Sequence, residues 1–351
     1  MLKKILGIVI VLLAGLCVYY WSLIYYGVGQ GLGQLKIIWG AKPVEEFMRD
    51  PAFPDSLKSK LKLISEARQF AIDSLGLNDT DNYKTLYDQH GEELMWVVMA
   101  CEPFRLKEKR WDFPVIGSVP YKGFFDKEKA LNLRVELERD NWDVSIRNPS
   151  GWSTLGWFTE PILSGMLRRG DGDLASLIIH EMVHATIYVK DSSDFNENLA
   201  SFIGDRGAEE FLAKTSGDTS RQYREFAYED SDYRKVTGHM LRAAQKLDSL
   251  YSTFSESDSV KLKKEKKTAF IQRIVDTIDT LSLSGGRKKS KRFAKKLPNN
   301  TYFMSFKTYE SKHDAMKDEW INKFRRDLHL MIQEYQKKIP YALITRRLRI
   351  C

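Results

Sequence analysis

Cysteine and histidine are both scarce in this chain of 351 residues, which has three cysteines and six histidines. Three cysteines are too few for a disulfide framework. Cys101 and Cys351 could pair in an oxidising compartment, with two free thiols as the alternative, and Cys17 falls in an apolar N-terminal stretch. No internal repeat is visible. The 43% hydrophobic and 12% aromatic content is enough to build one large core or two modest ones.

The N-terminal segment has almost no charge after Lys3 and Lys4. Its strongly apolar part, Ile5 to Tyr26, is about 22 residues long, which is enough to span a bilayer. Aromatic residues gather at its far end, as they do at membrane interfaces: Tyr19, Tyr20, Trp21, Tyr25 and Tyr26. We therefore predict an uncleaved transmembrane helix, with the bulk of the chain outside the cytoplasm. A cleaved signal peptide and a buried core helix are the alternatives.

The pentapeptide H-E-M-V-H at residues 180–184 carries the clearest chemical signal in the chain. Residues four apart on a helix share one face, so both imidazoles can reach a single metal ion. Glu181 is then placed to act as a base on a water molecule at that ion. The preceding residues are apolar, which predicts a buried helix over 174–189 with Asp173 as its N-cap. A surface helix with a chance histidine pair is the alternative.

A third protein ligand is expected, because catalytic zinc takes three and keeps a fourth position open. Positions 187 and 190 are Ile and Lys, so the spacing of a third histidine in longer zinc motifs is missing and a carboxylate remains. The downstream acids are Asp191, Asp194, Glu197, Asp205, Glu209 and Glu210. We favour Glu197, since the small Ala200 lets its helix pack closely, and place Glu209 next. A capping box between Asp194 and Glu197 is the competing interpretation.

These features predict an α+β fold that is mostly helical, with a zincin-like catalytic core built around a small mixed sheet. We place the membrane anchor in residues 1–27 and a helical N-terminal part in 28–110. The catalytic core covers 111–215. A helical C-terminal region, 216–351, packs back on that core and contains a long antiparallel hairpin.

Local patterns give the individual elements. The predicted helices are Asp55–Gly76, a stretch around Leu94–Ala100, Lys127–Arg139, and one that begins near Asn196. The predicted strands are Phe113–Val119, Trp142–Ile146 and Trp152–Phe158. The hairpin consists of Arg221–Leu250 and Val260–Leu281, joined by the polar run Ser255–Ser259.

Several segments of this chain resemble segments that occur together in one known protein family. They are H-E-M-V-H at 180–184, Y-V-K-D at 188–191, F-N-E-N-L-A at 195–200, F-P-V at 113–115, Y-K-G-F-F at 121–125, S-T-L-G-W-F at 153–158, Asn299-Asn300 and Tyr309. In these segments the chain resembles the bacterial "Putative aminopeptidase" family of predicted membrane-associated zinc peptidases. The chain departs from the family pattern in lacking an N-terminal lipobox, and in having Asp112 and Ser118 where many relatives carry cysteines.

The resemblance implies a gluzincin-like metallopeptidase in which His180, His184 and Glu197 hold one Zn²⁺ ion. With the N-terminal helix, it implies a single-pass protein of the bacterial inner membrane with a periplasmic catalytic region. Glu181 would take the proton of the attacking water and pass it to the leaving amine. Tyr309, which the resemblance places in a recurrent motif, is the candidate oxyanion donor, with core packing as its alternative.

Further residues are expected to support the ligands or the peptide substrate. Asp205 shares a helical face with Glu197, so it either orients a ligand histidine or is a surface acid. Gly156 and Trp157 belong to a strand that could pair with an extended peptide. Glu160, just past that strand, could bind the free amine of the substrate. Asn300 belongs to one of the family segments and is placed with the substrate-binding residues.

The predicted function is a membrane-anchored zinc metallopeptidase, and the aminopeptidase label comes from the family. Two alternatives fit the same residues: a zinc amidohydrolase acting on cell-wall or other non-peptide amides, and a catalytically silent, membrane-tethered interaction protein. Arg287–Lys296 holds seven basic residues in ten. No nucleic-acid-binding fold or aromatic platform accompanies it, so we expect no nucleic-acid partner. Oligomeric state is not indicated.

Overall fold

The computed structural model describes residues 4–7, 15, 18–113, 117–149, 159–189, 192–284, 291 and 293–339. This part of the chain is mostly helical, with three small sheets. Its helices are α1 Trp21–Gly40, α2 Val44–Arg49, α3 Asp55–Asp73, α4 Lys127–Arg139, α5 Asp171–His184, α6 Ser193–Ser216, α7 Arg221–Ser252, α8 Val260–Ile278, α9 Asn300–Glu310, α10 His313–Asn322 and α11 Leu328–Lys338.

The strands form two sheets of three strands and one hairpin. Their bounds are β1 Lys42–Pro43, β2 Thr85–Tyr87, β3 Trp96–Cys101, β4 Trp111–Phe113, β5 Gly117–Val119, β6 Tyr121–Phe124, β7 Asp143–Arg147 and β8 Ile162–Leu163. One sheet has the order β1-β2-β8, with an antiparallel and a parallel pair, and the other has the antiparallel order β6-β3-β7. In the β4-β5 hairpin, Asp112 lies directly opposite Ser118.

One predicted helix is a strand. The stretch Leu94–Ala100 was expected to be helical because it is apolar, but Trp96–Cys101 is the central strand of the β6-β3-β7 sheet. Both sides of β3 pair with neighbours, and its residues Val97 and Val98 are β-branched, which favours a strand. A short apolar run fits either a buried strand or a buried helix, so periodicity alone does not separate them. The predicted strand Trp152–Phe158 lies outside the described residues.

The prediction of a transmembrane helix is wrong for the described part of the chain, where no helix is both long and apolar enough to cross a membrane. This finding overturns the expected single-pass location in the inner membrane. Helix α1 contains Gln30, Gln34 and Lys36, and it docks on the protein: Tyr26 Oη and Gln30 Nε2 both donate to the Gly123 carbonyl at 2.9 Å. Most of the predicted span before Val18 lies outside the described residues.

The largest hydrophobic core lies between α3, α5 and α6. It also takes in side chains from β2, β8, α10 and α11, so it crosses the predicted boundaries at 110/111 and 215/216. A second core joins α7, α8 and α9, and a third lies between α4 and the β6-β3-β7 sheet. Cys101 is a buried free thiol at the end of β3, and Cys351 lies outside the described residues.

Close packing of α5 on α6 depends on Gly204. A Cβ atom at this position would lie 2.8 Å from the Ser176 carbonyl oxygen and 3.2 Å from the Cβ of His180. The first of these contacts is with backbone, which has little freedom to move away. Gly204 therefore sets how near α6 approaches the helix that carries the H-E-M-V-H segment.

We expect Gly204→Ala to lower the free energy of unfolding by about 1–3 kcal/mol, because the added methyl overpacks the α5–α6 contact. Gly238→Ala in α7 is the matched control, since its Cβ would meet only the mobile end of Arg242, at 3.3 Å. The control should be neutral or slightly stabilising, as expected for alanine in a helix. Urea unfolding of both variants measures the difference, and equal midpoints would contradict this account of Gly204.

Candidate metal centre

The H-E-M-V-H segment occupies the last turn and a half of α5. This helix buries one face, including Leu174, Ile178 and Met182, against the largest core. It begins at Asp171 and ends at His184, earlier at both ends than the predicted range 174–189. The two imidazoles project together from it, with their Nε2 atoms 3.1 Å apart.

Glu197, in the second turn of α6, brings its carboxylate to the histidine pair. Its Oε2 lies 3.5 Å from His180 Nε2 and 3.7 Å from His184 Nε2. A tetrahedral zinc ion with bonds of about 2.0–2.2 Å spaces its ligand atoms about 3.3–3.6 Å apart. The three observed separations, 3.1, 3.5 and 3.7 Å, lie within about 0.2 Å of this range. The three residues form the candidate metal-ligand group of the described residues. Glu197 faces the histidines, and no capping side chain is found at the start of α6.

The charges at this cluster favour a cation. Burial alone would raise the pKa of Glu197, but its contacts with His180 and His184 and their charges hold that pKa far below its usual range. Burial lowers the pKa of His184, but the contact with Glu197 and its negative charge outweigh burial, so that pKa is raised on balance. The cluster thus holds an ionised carboxylate against two imidazoles, and a divalent cation could replace the protons that they share.

Glu181 lies beside the ligands with one oxygen unsatisfied. Its Oε2 is buried and has no hydrogen-bond partner among the described residues. A buried carboxylate oxygen without a partner is costly, and native structures usually pair such groups with protein or water. The position suits a carboxylate whose partner is a water molecule or a substrate, and this supports the fit of a catalytic metal to these residues.

The charges of Glu197 and Glu181 act on the pKa values of three tyrosines. Burial and the charge of Glu197 raise the pKa of Tyr309 far above its ordinary value. Tyr121 is 44% exposed, and partial burial together with the charges of Glu197 and Glu181 raises its pKa to about 12. Burial, followed by the charge of Glu181, raises the pKa of Tyr83. All three phenols are therefore protonated donors at neutral pH.

Sequence reasoning selected only Tyr309 among these tyrosines. Tyr121 was already present in a family segment, Y-K-G-F-F at 121–125, so that segment was the available signal for it. Tyr83 belongs to no motif. Its position depends on a long-range contact, because Tyr83 N donates to the Glu160 carbonyl at 2.7 Å.

Asp205 does not reach a ligand imidazole in the described contacts. Its Oδ1 accepts from Ser176 Oγ at 2.9 Å, and its Oδ2 pairs with Arg234. Glu209, the second choice for the third ligand, pairs with Arg206 instead of approaching the cluster. These two acids belong to an ion-pair network between α6 and α7 because each lies nearer an arginine than the histidines.

The predicted substrate-binding residues are scattered. Asn300 is fully buried, accepts from Tyr251 Oη at 2.7 Å and donates to the Glu102 carbonyl at 2.8 Å, so its side chain is used for packing. Glu160 is 4% exposed and accepts from Tyr83 Oη at 3.3 Å. Its charge contributes to raising the pKa of His184, which places it near the cluster. Gly156 and Trp157 lie outside the described residues.

A cavity of about 990 Å³ reaches His180 from the side of α7. It lies between α5, α6, α7 and α9, and several tyrosine and phenylalanine side chains line it. The cavity therefore provides one route from the surface to His180.

An H-E-x-x-H helix with a third carboxylate from a following helix is the donor set of mononuclear metal hydrolases. Comparison with protein families agrees at a coarser level: the family described as "Putative aminopeptidase" matches residues 25–343. The chain belongs to that family. Searches of the curated proteins and of the solved structures gave no match.

We expect Glu197→Ala to weaken zinc binding by more than about a hundredfold, since losing a ligand should exceed the 10–100-fold cost of losing an outer partner. Glu209→Ala is the matched control, because Glu209 lies on the same helix but pairs with Arg206. This variant should bind zinc with the affinity of the unaltered protein. Titration of metal-free protein against a chromophoric chelator measures both affinities. Unchanged affinity in Glu197→Ala would remove Glu197 from the ligand set.

Proposed function

We propose that this protein is a zinc metallopeptidase that uses Glu181 as its general base. The observation that carries the proposal is the convergence of His180, His184 and Glu197, whose ligand atoms lie within 4.8 Å of one another. Beside them lies a buried oxygen of Glu181 that has no hydrogen-bond partner among the residues that the structure describes. Two neutral nitrogens and one carboxylate oxygen suit zinc and leave a coordination position for water or substrate. Membership in the aminopeptidase family supports a peptide substrate.

A zinc ion bound by these ligands would supply a Lewis acid for the scissile carbonyl and the attacking water. Glu181 sits next to His180 in sequence, on the flank of the ligand face, so its free oxygen can accept the proton of that water. The same carboxyl group then holds the proton close to the departing nitrogen and can donate it there.

Protonated phenols are suited to stabilise the oxyanion that develops during attack. After burial, the charge of Glu197 is the next contribution that raises the pKa values of Tyr309 and Tyr121, which makes both phenols candidates for this role. We propose Tyr309 as the principal donor, because α9 and α10 hold its backbone firmly, and Tyr121, which is more exposed, as a contact for the substrate.

The exopeptidase part of the proposal depends on the family and on Glu160. An aminopeptidase must bind the free amine of its substrate, and Glu160 is a buried acid near the cluster. Tyr83 Oη and Asn82 Nδ2 hold its carboxylate at 3.3 and 3.4 Å. Both contacts are long for hydrogen bonds, so an ammonium group could compete for the same oxygen.

We expect Glu181→Gln to retain zinc but to lower kcat for a peptide with a free amino terminus by about 10²–10⁴, the usual contribution of a general base. Glu66→Gln is the matched control, because it makes the same replacement at an exposed residue of α3 that does not line the cavity. N-acetylation of the substrate should abolish cleavage if the enzyme is an exopeptidase. Wild-type turnover by zinc-loaded Glu181→Gln would overturn the mechanism, and equal cleavage of the acetylated peptide would overturn only the exopeptidase assignment.

A further inference from the structure

Asn198 follows the third ligand candidate directly and is 1% exposed. Its side chain connects α6 to the corner between α9 and α10. Its Nδ2 donates to the Thr308 carbonyl at 2.6 Å, and its Oδ1 accepts from Lys312 N at 2.8 Å. The same Nδ2 also donates to the Asp194 carbonyl at 2.7 Å, so its donors and its acceptor are all engaged.

These bonds satisfy backbone groups at the junction of two helices. A carbonyl at the end of α9 and an amide at the start of α10 lack partners within their own helices, and leaving such groups buried and unpaired is costly. Asn198 supplies both partners with one amide group. Tyr309 lies between the two bonded positions, so the same contact fixes the backbone that carries its phenol.

Glu310 fixes the other side of Tyr309. It is 5% exposed, accepts from Tyr233 Oη at 2.9 Å and pairs with Arg234 at 2.6 Å. Arg234, which belongs to α7, also pairs with Asp205 of α6 and Asp230 of α7. Glu310 is thereby connected to both helices. The backbone on both sides of Tyr309 is therefore held by buried polar contacts.

We propose that Asn198 is a positioning residue that holds Tyr309 in place beside the candidate metal centre. Glu197 and Asn198 are consecutive, so one turn of α6 presents the third ligand in one direction and holds the oxyanion donor in the other. Any shift of α6 would move both groups together, which keeps their separation constant. This inference rests on the proposed function for its catalytic meaning, while the structural coupling of Asn198 to Tyr309 stands without it.

A double-mutant cycle tests the coupling. We expect Asn198→Ala to keep zinc and KM but to lower kcat about tenfold, because small displacements of a catalytic group are expensive. In a Tyr309→Phe background the same change should lower kcat by less than about twofold, since the group it positions is gone. Equal losses in both backgrounds would overturn the proposal.

Asn196→Ala is the matched control in the same cycle. Asn196 is 2% exposed and also makes two backbone bonds, but to Val189 N and O in the loop after α5, each at 2.8 Å. Its effect should be the same with Tyr309 or Phe at position 309. If the effect of Asn196→Ala on kcat depended on Tyr309 as strongly as the effect of Asn198→Ala does, the coupling would reflect a general loosening of α6. That result would contradict the proposal.

A spectroscopic measurement separates this proposal from the proposed function and does not need an active enzyme. 3-Fluorotyrosine at position 309 in the metal-free protein should give one narrow ¹⁹F resonance that broadens or shifts in Asn198→Ala but not in Asn196→Ala. If Asn198→Ala folds poorly, Asn198→Asp, which keeps the acceptor for Lys312 N and loses the donor to Thr308, serves instead. An unchanged resonance in a folded Asn198 variant would overturn the coupling even if the wild-type protein hydrolyses peptides.

Discussion

The structure depends on how closely α6 approaches α5. Two imidazoles on one helix cannot enclose a metal ion by themselves, and the third ligand atom has to come from a neighbouring helix at van der Waals distance. Gly204 permits this approach, because any side chain there would meet the Ser176 carbonyl and the Cβ of His180. The fully buried Ala200 faces the same core on α6. Small residues on α6 thus bring Glu197 within 3.7 Å of both histidines.

Polar contacts then fix what hydrophobic packing leaves free. The two asparagines beside Glu197 bond to backbone on opposite sides, Asn196 to the loop after α5 and Asn198 to the α9–α10 corner. Behind them, Arg234 pairs with acids on α6, α7 and α9. Buried ion pairs contribute little net stability, but they specify geometry when each group is satisfied. A metal-free cluster of this kind would already hold its ligands near their bound positions.

The parts of the site that depend on local sequence could be predicted. The pair His180 and His184 follows from helical spacing, and Glu197 from its position and family segment. The helix Lys127–Arg139 has the predicted bounds, and Asp126 caps its start. Long-range partners could not be predicted in this way. Asp205 was expected either to orient a ligand histidine or to be a surface acid, but it pairs with Arg234, 29 residues further along the chain.

Errors in the element assignments have a related physical cause. A short apolar run predicts burial without showing whether the segment is a strand or a helix. The stretch around Leu94–Ala100 was therefore predicted to be helical, although β3 lies there between β6 and β7. The apolar N-terminal stretch was predicted to span a membrane from its length and composition, whereas Tyr26 and Gln30 of α1 bond to Gly123. Asn300 shows the converse: a residue from a family segment serves as a buried link to Tyr251.

The most direct measurement of the central claim is X-ray absorption spectroscopy of the zinc-loaded protein. The account predicts one zinc ion per chain with nitrogen and oxygen ligands at about 2.0–2.2 Å, a multiple-scattering signature of two imidazoles and no sulfur shell. A sulfur shell, or a spectrum without the imidazole signature, would show that zinc does not bind between His180, His184 and Glu197 and would contradict the account.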